Sequence, residues 1–481
     1  MPVDVDGLKG DRVSMPDAFS IHSAAALPLT AELLERFDKP GPRYTSYPTA
    51  VEFTPDFTEA DYREALARAA KRRGPLSLYT HLPFCEQRCW YCACNVVITS
   101  RQEVAAAYLQ RLEREIAMVA PLLGERREVG QFHLGGGTPT YYAPEVLSSL
   151  MRTYREHFHL LPNAEVAVEL DPRVTTREHL ETLAREGFNR LSLGVQDFDP
   201  RVQEAVQRLQ SFEVTAELVQ EARALGMDAI NIDLIYGLPH QTPASFARTL
   251  EQTLALRPAR LAVYSFAYVP WLKPHQRRLD EAALPKGREK LELLVLARER
   301  LLAAGYVAIG MDHFALPGDE LARAQAAGAL QRNFMGYTTA RADDLVGFGL
   351  SAIGSVGGAF AQNPKKLSRY YAAIDEGQLA TERGVSLTND DLIRAHAIRE
   401  WMCNFKLDFC ELERRFGIVP QAYFAHEFAA LAEFEAGFVR LSPRGMVAGP
   451  LGRLFPRNVA MVFDRYRQQP APAQPRFSRT V

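Results

Sequence analysis

The sequence predicts an α/β protein: a full or partial parallel (β/α) barrel followed by a helical, winged-helix-like C-terminal domain. Three observations carry this expectation. Short apolar runs, most of them partly β-branched, recur from residue 76 to about 315 and centre on Leu78, Phe132, Val168, Leu193, Ile232, Val263 and Val307; strands buried on both faces read this way. The stretches between them have helical period, and strands alternating with helices mean a parallel sheet with crossover helices. Beyond about residue 380 the alternation ends, and helical stretches run to about 436 before one hairpin signal.

Taken in order, residues 1–75 read as an N-terminal leader arm, 76–380 as the barrel and 381–481 as the helical C-terminal domain. Residues 1–40 are of mixed character. In Gly41-Pro42-Arg43-Tyr44-Thr45-Ser46-Tyr47-Pro48-Thr49 two prolines bias the chain toward extended structure. The first strand, Leu76-Ser77-Leu78-Tyr79-Thr80-His81, feeds a cysteine-rich loop. Tyr108, Leu112, Ile116 and Val119 line one face of a helix that Pro121 stops. Val214, Leu218, Ala222 and Leu225 line another, with Gly226 as its C-cap. Thr388-Asn389-Asp390-Asp391 is a variant capping box that opens a helix. Phe438-Val439-Arg440-Leu441 and Met446-Val447-Ala448 flank the turn Ser442-Pro443-Arg444-Gly445, a hairpin pattern. From Gln468 to Pro475 the chain is rich in Pro, Gln and Ala and reads as a loose tail.

Composition narrows the function. The chain has 481 residues, of which 47% are hydrophobic and 24% charged, as in an ordinary soluble globular protein. Its 58 acidic and 56 basic residues give a net charge of −2, which predicts no sequence-independent affinity for nucleic acid. An anionic substrate must therefore be met by local arginines and lysines. Six cysteines, four of them in one loop and the others Cys403 and Cys410, make no disulfide framework and point to metal in a reducing compartment. The start, Met1-Pro2-Val3-Asp4-Val5-Asp6, is not that of a signal peptide. No run nears the roughly 18 apolar residues of a membrane span, so the expected location is cytoplasmic.

The chemistry centres on Pro83-Phe84-Cys85-Glu86-Gln87-Arg88-Cys89-Trp90-Tyr91-Cys92-Ala93-Cys94-Asn95. Cys85, Cys89 and Cys92 have the spacing C-x3-C-x2-C on a short loop after a strand. Thiolates packed this closely hold an iron–sulfur cluster, and three of them leave one corner open for a substrate. A structural zinc with Cys94 as fourth ligand is the competing reading. Zinc usually draws on two separated pairs, and Cys92-Ala93-Cys94 is cramped for one ion, so the cluster is preferred. Gly135-Gly136-Gly137-Thr138-Pro139-Thr140 follows a strand. Three glycines let a ligand touch the backbone and offer N–H donors to a carboxylate, where a tight turn needs only one. Glu169, Gln196 and Asp233 lie at or near the ends of apolar strands, where barrel ligands bind; each alone is equally well a cap or an edge residue. Arg43, Tyr44 and Tyr47 fit either a clamp on an aromatic carboxylate or an arm packed on the barrel mouth. His313 and His133 read as structural histidines, and Cys403 and Cys410 as buried hydrophobes.

The cysteine loop resembles the signature of radical S-adenosylmethionine (SAM) enzymes. From Pro42 to Phe477-Ser478-Arg479 the chain resembles the oxygen-independent coproporphyrinogen III oxidases. The matching stretches are Tyr44-Thr45-Ser46-Tyr47-Pro48-Thr49, the loop with its extra Cys94, Gly135–Thr140, Gly194-Val195-Gln196-Asp197-Phe198, Asn231-Ile232-Asp233-Leu234-Ile235-Tyr236-Gly237-Leu238-Pro239, Gly310-Met311-Asp312-His313-Phe314-Ala315 and Cys403-Asn404-Phe405. The resemblance implies a partial barrel of the radical SAM type, a [4Fe–4S] cluster and two SAM molecules per chain. It implies that Cys85, Cys89 and Cys92 hold three irons while SAM chelates the fourth. The first SAM would meet Tyr79, Gly136, Glu169, Ala267 and Ile353. The second would meet Tyr91, Gly137, Thr138, Gln196, Arg208 and Asp233. No side chain is assigned a catalytic role beyond the cluster and SAM.

The implied activity is that of a coproporphyrinogen dehydrogenase in porphyrin and haem biosynthesis. A 5′-deoxyadenosyl radical from SAM takes hydrogen from the β-carbon of a propionate, and loss of CO2 and one electron leaves a vinyl group. Done twice, this gives protoporphyrinogen IX. The expected partners are the tetrapyrrole, an unidentified electron donor and an acceptor, with no nucleic acid, no membrane span and a monomeric chain. Two positions depart from the family pattern. Met335 stands where the family has glutamine in Asn333-Phe334-Met335-Gly336-Tyr337, and Gln207 stands where it commonly has asparagine before Arg208. The alternatives are a methyltransferase-like paralogue acting on another tetrapyrrole, and a haem chaperone. Chaperone relatives typically lack the leader motif and the fourth cysteine, both present here. A winged-helix DNA binder fits only the C-terminal outline and lacks a basic recognition helix.

Overall fold

The computed structural model describes residues 36–340, 344–434, 436–468 and 477–480. The leader before residue 36 and the Pro/Gln/Ala-rich stretch from residue 469 lie outside the described residues. Six strands, β1 (Leu76–Leu82), β2 (Glu128–Gly136), β3 (His159–Leu170), β4 (Arg190–Gln196), β5 (Ala229–Tyr236) and β6 (Arg260–Ser265), pair in parallel and in sequence order. Helix α1 (Glu59–Ala70) precedes β1. Helices α2 (Gln102–Val119), α3 (Pro144–His157), α4 (Arg177–Arg185), α5 (Phe212–Ala224) and α6 (Pro243–Ala255) provide the crossovers. Tyr108, Leu112, Ile116 and Val119 face inward from α2, as their spacing predicts. On α5 the buried face is Thr215, Leu218, Val219 and Ala222. Val214, expected inside, is 44% exposed, because Ser211 caps the helix one turn earlier by accepting from the Val214 N–H.

The run at Val307 forms β7 (Val307–Gly310), but it is not hydrogen-bonded to the parallel set. Only Met311 and Asp312 separate it from β8 (His313–Ala315), which inserts antiparallel between β7 and β6. A two-residue link can only turn back, whereas a parallel crossover needs a dozen residues or more. The other edge extends beyond what the periodicity predicts. There β9 (Leu345–Phe348) runs parallel to β1 and is followed by the antiparallel β10 (Ile353–Val356), β11 (Ala359–Gln362) and β12 (Arg383–Ser386). The order β12-β11-β10-β9-β1-β2-β3-β4-β5-β6-β8-β7 is an open, twelve-stranded sheet, and it passes the boundary expected at 380.

Fully buried Asp344 ties this added edge to the barrel. It accepts from Arg126 Nη1, from Arg72 Nη1 at 2.9 Å and from the Gly357 N–H at 2.6 Å. Buried Glu115 on α2 does similar work. It accepts from Gly349 N at 2.7 Å, Asn363 Nδ2 at 2.6 Å and Tyr370 Oη at 2.8 Å, and burial lifts its pKa to about 7.

The leader arm divides between two cores. Phe57, Tyr62, Ala65, Leu66 and Ala69 join the barrel core, while Phe37, Tyr44 and Tyr47 join the core of the C-terminal domain. That domain opens with α7 (Asn389–Asn404), where Thr388 and Asp391 close a reciprocal capping box. Its hairpin, Val439–Ser442 with Gly445–Ala448, gains a third strand, Lys406–Asp408. Both ends of the described chain meet here. Gly41 N donates to Ser478 O at 3.0 Å, Lys39 N to Thr480 Oγ1 at 3.0 Å, and Arg457 Nε to Pro42 O at 2.9 Å. Cys403 is fully buried as expected. Cys410 is exposed, contrary to expectation, because the inward face of its short amphipathic helix is taken by Phe409 and Leu412.

Candidate active site

The site lies at the C-terminal ends of β1 to β6, where the crossover loops of a parallel barrel converge. The loop after β1 is fixed by its backbone. Val97 N donates to Pro83 O at 2.8 Å, Thr99 N to Cys85 O at 3.2 Å and Cys92 N to Cys89 O at 3.1 Å. All four thiols of the loop are free. Cys85 Sγ lies 3.4 Å from Thr138 Oγ1, and burial lifts its pKa to about 11. Cys89 is buried and faces two guanidiniums, Arg208 Nη1 at 3.5 Å and Arg173 Nη2 at 3.6 Å. A hydrogen bond from the Cys94 thiol draws Cys92 down to about 6, against the effect of burial, and pushes Cys94 up in turn.

The glycine run serves packing first. A Cβ on Gly135 would stand 2.8 Å from the Glu169 carboxyl. On Gly136, with φ +118°, a Cβ would stand 2.7 Å from the His81 ring. The N–H groups expected to be offered to a ligand are already engaged: Gly136 N by Glu169 Oε2 at 3.0 Å, Gly137 N by Leu82 O at 2.8 Å and Thr138 N by Phe84 O at 2.9 Å. Glu169 also meets His133 Nε2 at 3.3 Å. Burial raises its pKa, but the bonds from His133 and Gly136 outweigh that and hold it below the usual carboxylate range. His133, read as structural, thus orients Glu169, and it stacks on Tyr79 with ring centroids 5.9 Å apart.

Gln196 ends β4 at a register shift with φ +72°. Arg208 donates to Gly194 O and to Asp171 Oδ2, the latter at 3.0 Å. Arg173 Nη2 reaches the same oxygen at 2.7 Å. Asp171 is buried, yet the two arginines pull its pKa to about 2. Asp233 makes no ion pair among the described residues. It accepts from Asn231 Nδ2 at 2.7 Å and from Ser192 Oγ at 3.4 Å. Burial first, and the Glu169 charge as well, raises its pKa to about 7. Raised above the unfolded value of 3.8, this group keeps its proton in the fold while the unfolded chain loses its own, so stability falls as pH rises from about 4 to about 7. The ligand-free Asp233→Asn protein is therefore expected to gain on the native one in denaturant midpoint between pH 5 and pH 8; parallel curves would refute this.

Ala267 and Tyr91 are bridged by fully buried Gln276, whose Nε2 donates to the carbonyl of Tyr91 at 3.0 Å and to that of Ala267 at 3.1 Å. The same segment sends His275 Nε2 to Cys92 O at 2.8 Å and Lys273 Nζ to Cys94 O at 3.2 Å. Ile353 opens β10, its backbone close against Gly347 of β9, which pairs with Tyr79. His81 donates from Nε2 to Asn95 O at 2.9 Å and accepts from Tyr79 Oη at 3.1 Å; the carbonyl can only accept, which fixes the tautomer. Sequence reasoning did not single out His81, Asp171, Arg173, His275 and Gln276. Asp171, one residue past β3, carried a strand-end signal; His275 and Gln276 sit on a 3-10 turn with no pattern to mark them.

The leader residues part company. Arg43 pairs with Asp312 and lies 5.3 Å over the Tyr264 ring. Tyr44 and Tyr47 are buried, with Tyr44 Oη donating to Asp464 at 2.9 Å and Tyr47 Oη accepting from Arg465 N at 3.2 Å. These two tyrosines pack rather than clamp. His313 stands edge-on to Tyr264 and Tyr337, and burial drives its pKa to about 3. Met335 is at the tip of a hairpin, Gln331–Asn333 with Gly336–Thr338, and the adjacent Phe334 packs on Phe360 of β11. Gln207 has φ +54°, a conformation asparagine tolerates better than other side chains. Gln207→Asn is expected to add about 0.5 kcal/mol of stability, read from the urea midpoint; an unchanged or lower midpoint would contradict this.

The radical SAM superfamily model matches residues 79–253. The chain is 47% identical over 450 residues to the oxygen-independent coproporphyrinogen III oxidase of Salmonella typhimurium, covering 93% of this chain and 98% of that one. It is 47% identical over 454 residues to that of Pseudomonas aeruginosa, covering 94% and 98%. The solved structure of coproporphyrinogen III oxidase from Escherichia coli, described as a radical SAM enzyme, superposes with a TM-score of 0.85 at 46% identity, covering 88% of this chain and 97% of that one. With an open (β/α) sheet, a three-thiol loop at its mouth and this identity along nearly its whole length, the chain belongs to the oxygen-independent coproporphyrinogen III oxidase family of radical SAM enzymes.

Proposed function

We propose that this chain is the oxidoreductase that converts coproporphyrinogen III to protoporphyrinogen IX without oxygen in haem biosynthesis, turning two propionate side chains into vinyl groups. What supports this, in a chain of that family, is the meeting at one sheet end of the cysteine loop with Glu169, Gln196, Arg208 and Asp233. A radical SAM protein uses a [4Fe–4S] cluster and SAM. The donor set fits: three free thiols on one loop, one facing two guanidiniums and one drawn toward thiolate by its neighbour. Among the described residues no three His, Cys, Asp or Glu side chains converge on a single ion, and a four-iron cluster asks instead for thiolates at separate corners. Cys85, Cys89 and Cys92 would hold it.

When bound, cluster and SAM supply the one-electron chemistry that removes a hydrogen atom from the substrate. The chain's own groups bind and orient. We assign Tyr79, Gly136, Glu169, Ala267 and Ile353 to one SAM, and Tyr91, Gly137, Thr138, Gln196, Arg208 and Asp233 to a second. Glu169, held ionised, is an acceptor for an ammonium or hydroxyl group. Arg208 keeps a buried Nε without a partner and so has a donor to offer. Asp233, costly when ionised and ligand-free, is relieved by any donor that reaches it. Gln276 and His275 strap the cysteine loop to the loop after β6 and help keep water out. Among the described residues no helix is long and apolar enough to cross a membrane. A monomer working in the cytoplasm with a separate electron donor and acceptor completes the proposal.

The test is anaerobic incubation of the iron-reconstituted protein with SAM, a chemical reductant and coproporphyrinogen III, with products separated by chromatography. Vinyl-bearing product is expected, and would show that Met335 is compatible with turnover. Cleaved SAM without vinyl product would move the assignment to another tetrapyrrole. Stoichiometric haem binding without SAM cleavage would favour a chaperone.

A further inference from the structure

Most buried arginines of this chain are neutralised in pairs such as Arg208–Asp171, Arg126–Asp344 and Arg260–Asp319. One rim departs from that habit. Arg88, Lys273, Arg277 and Arg278 make no ion pair with an acid among the described residues, and neither does Lys365 nearby, on which Glu382 acts without pairing. Glu86 and Asp280, the acids closest in sequence, pair with none of them. The group is contiguous: Arg88, Lys273 and Arg278 all act electrostatically on His275, and Lys273 acts on Lys365. It is also anchored to the cysteine loop through Lys273 Nζ on Cys94 O, His275 Nε2 on Cys92 O and Asn95 Nδ2 on Lys365 O at 3.2 Å. Directly before Lys273 in the chain stand two apolar side chains that the fold leaves outside, Trp271 at 40% and Leu272 at 60% exposure.

An exposed aromatic side chain and an exposed aliphatic neighbour on the same segment as cations without ion-pair partners have the composition of a protein-docking face. A chain with net charge −2 has no global field to attract an anion, so a local cluster of five cations is selective for a partner with a matching acidic patch. Two outward-standing apolar side chains suit a protein surface better than a small carboxylate, whose sites are concave. The location says what such a partner would do. The segment that carries the patch hydrogen-bonds the backbone of the thiol loop itself, so a partner seated there is one layer of chain from the thiols.

We propose that Arg88 and the segment from Trp271 to Arg278 form the docking face for an acidic one-electron carrier protein, a reduced flavin or iron–sulfur carrier. This rests on the cluster assignment above. The exchange is balanced: the carrier loses one electron, the iron–sulfur site gains it, and no bond or proton changes hands at that step.

The test compares the native cluster-loaded protein with Arg277→Glu/Arg278→Glu, and with Leu272→Asp as a second, uncharged-site probe. Binding of oxidised flavodoxin, and separately of an acidic ferredoxin, is measured by calorimetry at low and raised salt. SAM cleavage is then driven by each reduced carrier or by dithionite. At least one carrier is expected to bind the native protein in a salt-sensitive way. Both variants should weaken that binding, and the carrier-driven rate, by about tenfold or more, while the dithionite-driven rate stays level. No binding of either carrier, or equal binding by the variants, overturns the proposal. So does a raised KM for the tetrapyrrole under dithionite, which would make the rim a substrate port. Failure of the functional assignment looks different: dithionite then gives no vinyl product, while carrier binding and its salt dependence persist and still support the docking face.

Discussion

Replacing Cys89 by alanine is expected to abolish both iron binding and product formation. Of the three thiols proposed to hold the cluster it is the one buried against two guanidiniums. Its loss removes one of three protein ligands and at the same time leaves Arg173 and Arg208 facing a cavity. The visible absorption of the reconstituted cluster and the iron content should both collapse, and vinyl product should fall to background. Cys94→Ser separates ligand from neighbour. Cys94 is exposed and its sulfur is engaged with Cys92, so the serine variant should keep its iron and lose turnover. An active, iron-loaded Cys89→Ala would remove the basis of the cluster assignment. Loss of iron from Cys94→Ser would return the four-thiolate zinc reading.

The largest effect on stability is expected at Asp344, far from the thiols. Asp344→Ala leaves Arg126, only 6% exposed, as a buried cation without its carboxylate, and unpairs Arg72 and the Gly357 N–H as well. Removing one partner from a buried ion pair costs about 3–5 kcal/mol. The denaturant midpoint should fall accordingly, with the added strands β9 to β12 exchanging amide hydrogens fastest, because Asp344 is what joins the turn between β10 and β11 to the end of α1 and to the start of β2. A midpoint within about 1 kcal/mol of the native value, typical of an ordinary surface substitution, would show that water replaces the lost carboxylate.

Much of this was legible in the sequence because it rests on local rules. Six parallel strands announce themselves as apolar runs, α2 by its period, and α7 by Thr388 and Asp391. The thiol spacing likewise needs no tertiary information. What stayed hidden depends on distance along the chain. The strands from Leu345 to Ser386 are short and lack clean alternation, so only pairing defines them, β9 with β1 and each later strand with the one before it. Tyr44 and Tyr47 could have clamped a ligand or packed; the decision lies with Asp464 and Arg465, more than 400 residues away. Arg208 and Asp171 are 37 positions apart, and neither shows from its own neighbours that the other neutralises it. Gln276 is buried only because two loops meet over it.

The meeting of residues 37–47 with residues 455–480 bears on how the molecule is made. Residues 37–47 leave the ribosome early, yet the core that receives Phe37, Tyr44 and Tyr47 also needs Phe455, Val459 and Phe463, and the backbone bond from Gly41 goes to Ser478. Domains generally fold in the order of their synthesis. The barrel can therefore assemble while its own N-terminal strip still waits, with two tyrosines and a phenylalanine unsheltered, until the stretch from Phe455 to Ser478 has been made. During that interval the strip is a natural ligand for a chaperone. A nascent chain stalled shortly before residue 455 should carry a finished barrel and an exposed apolar leader at once.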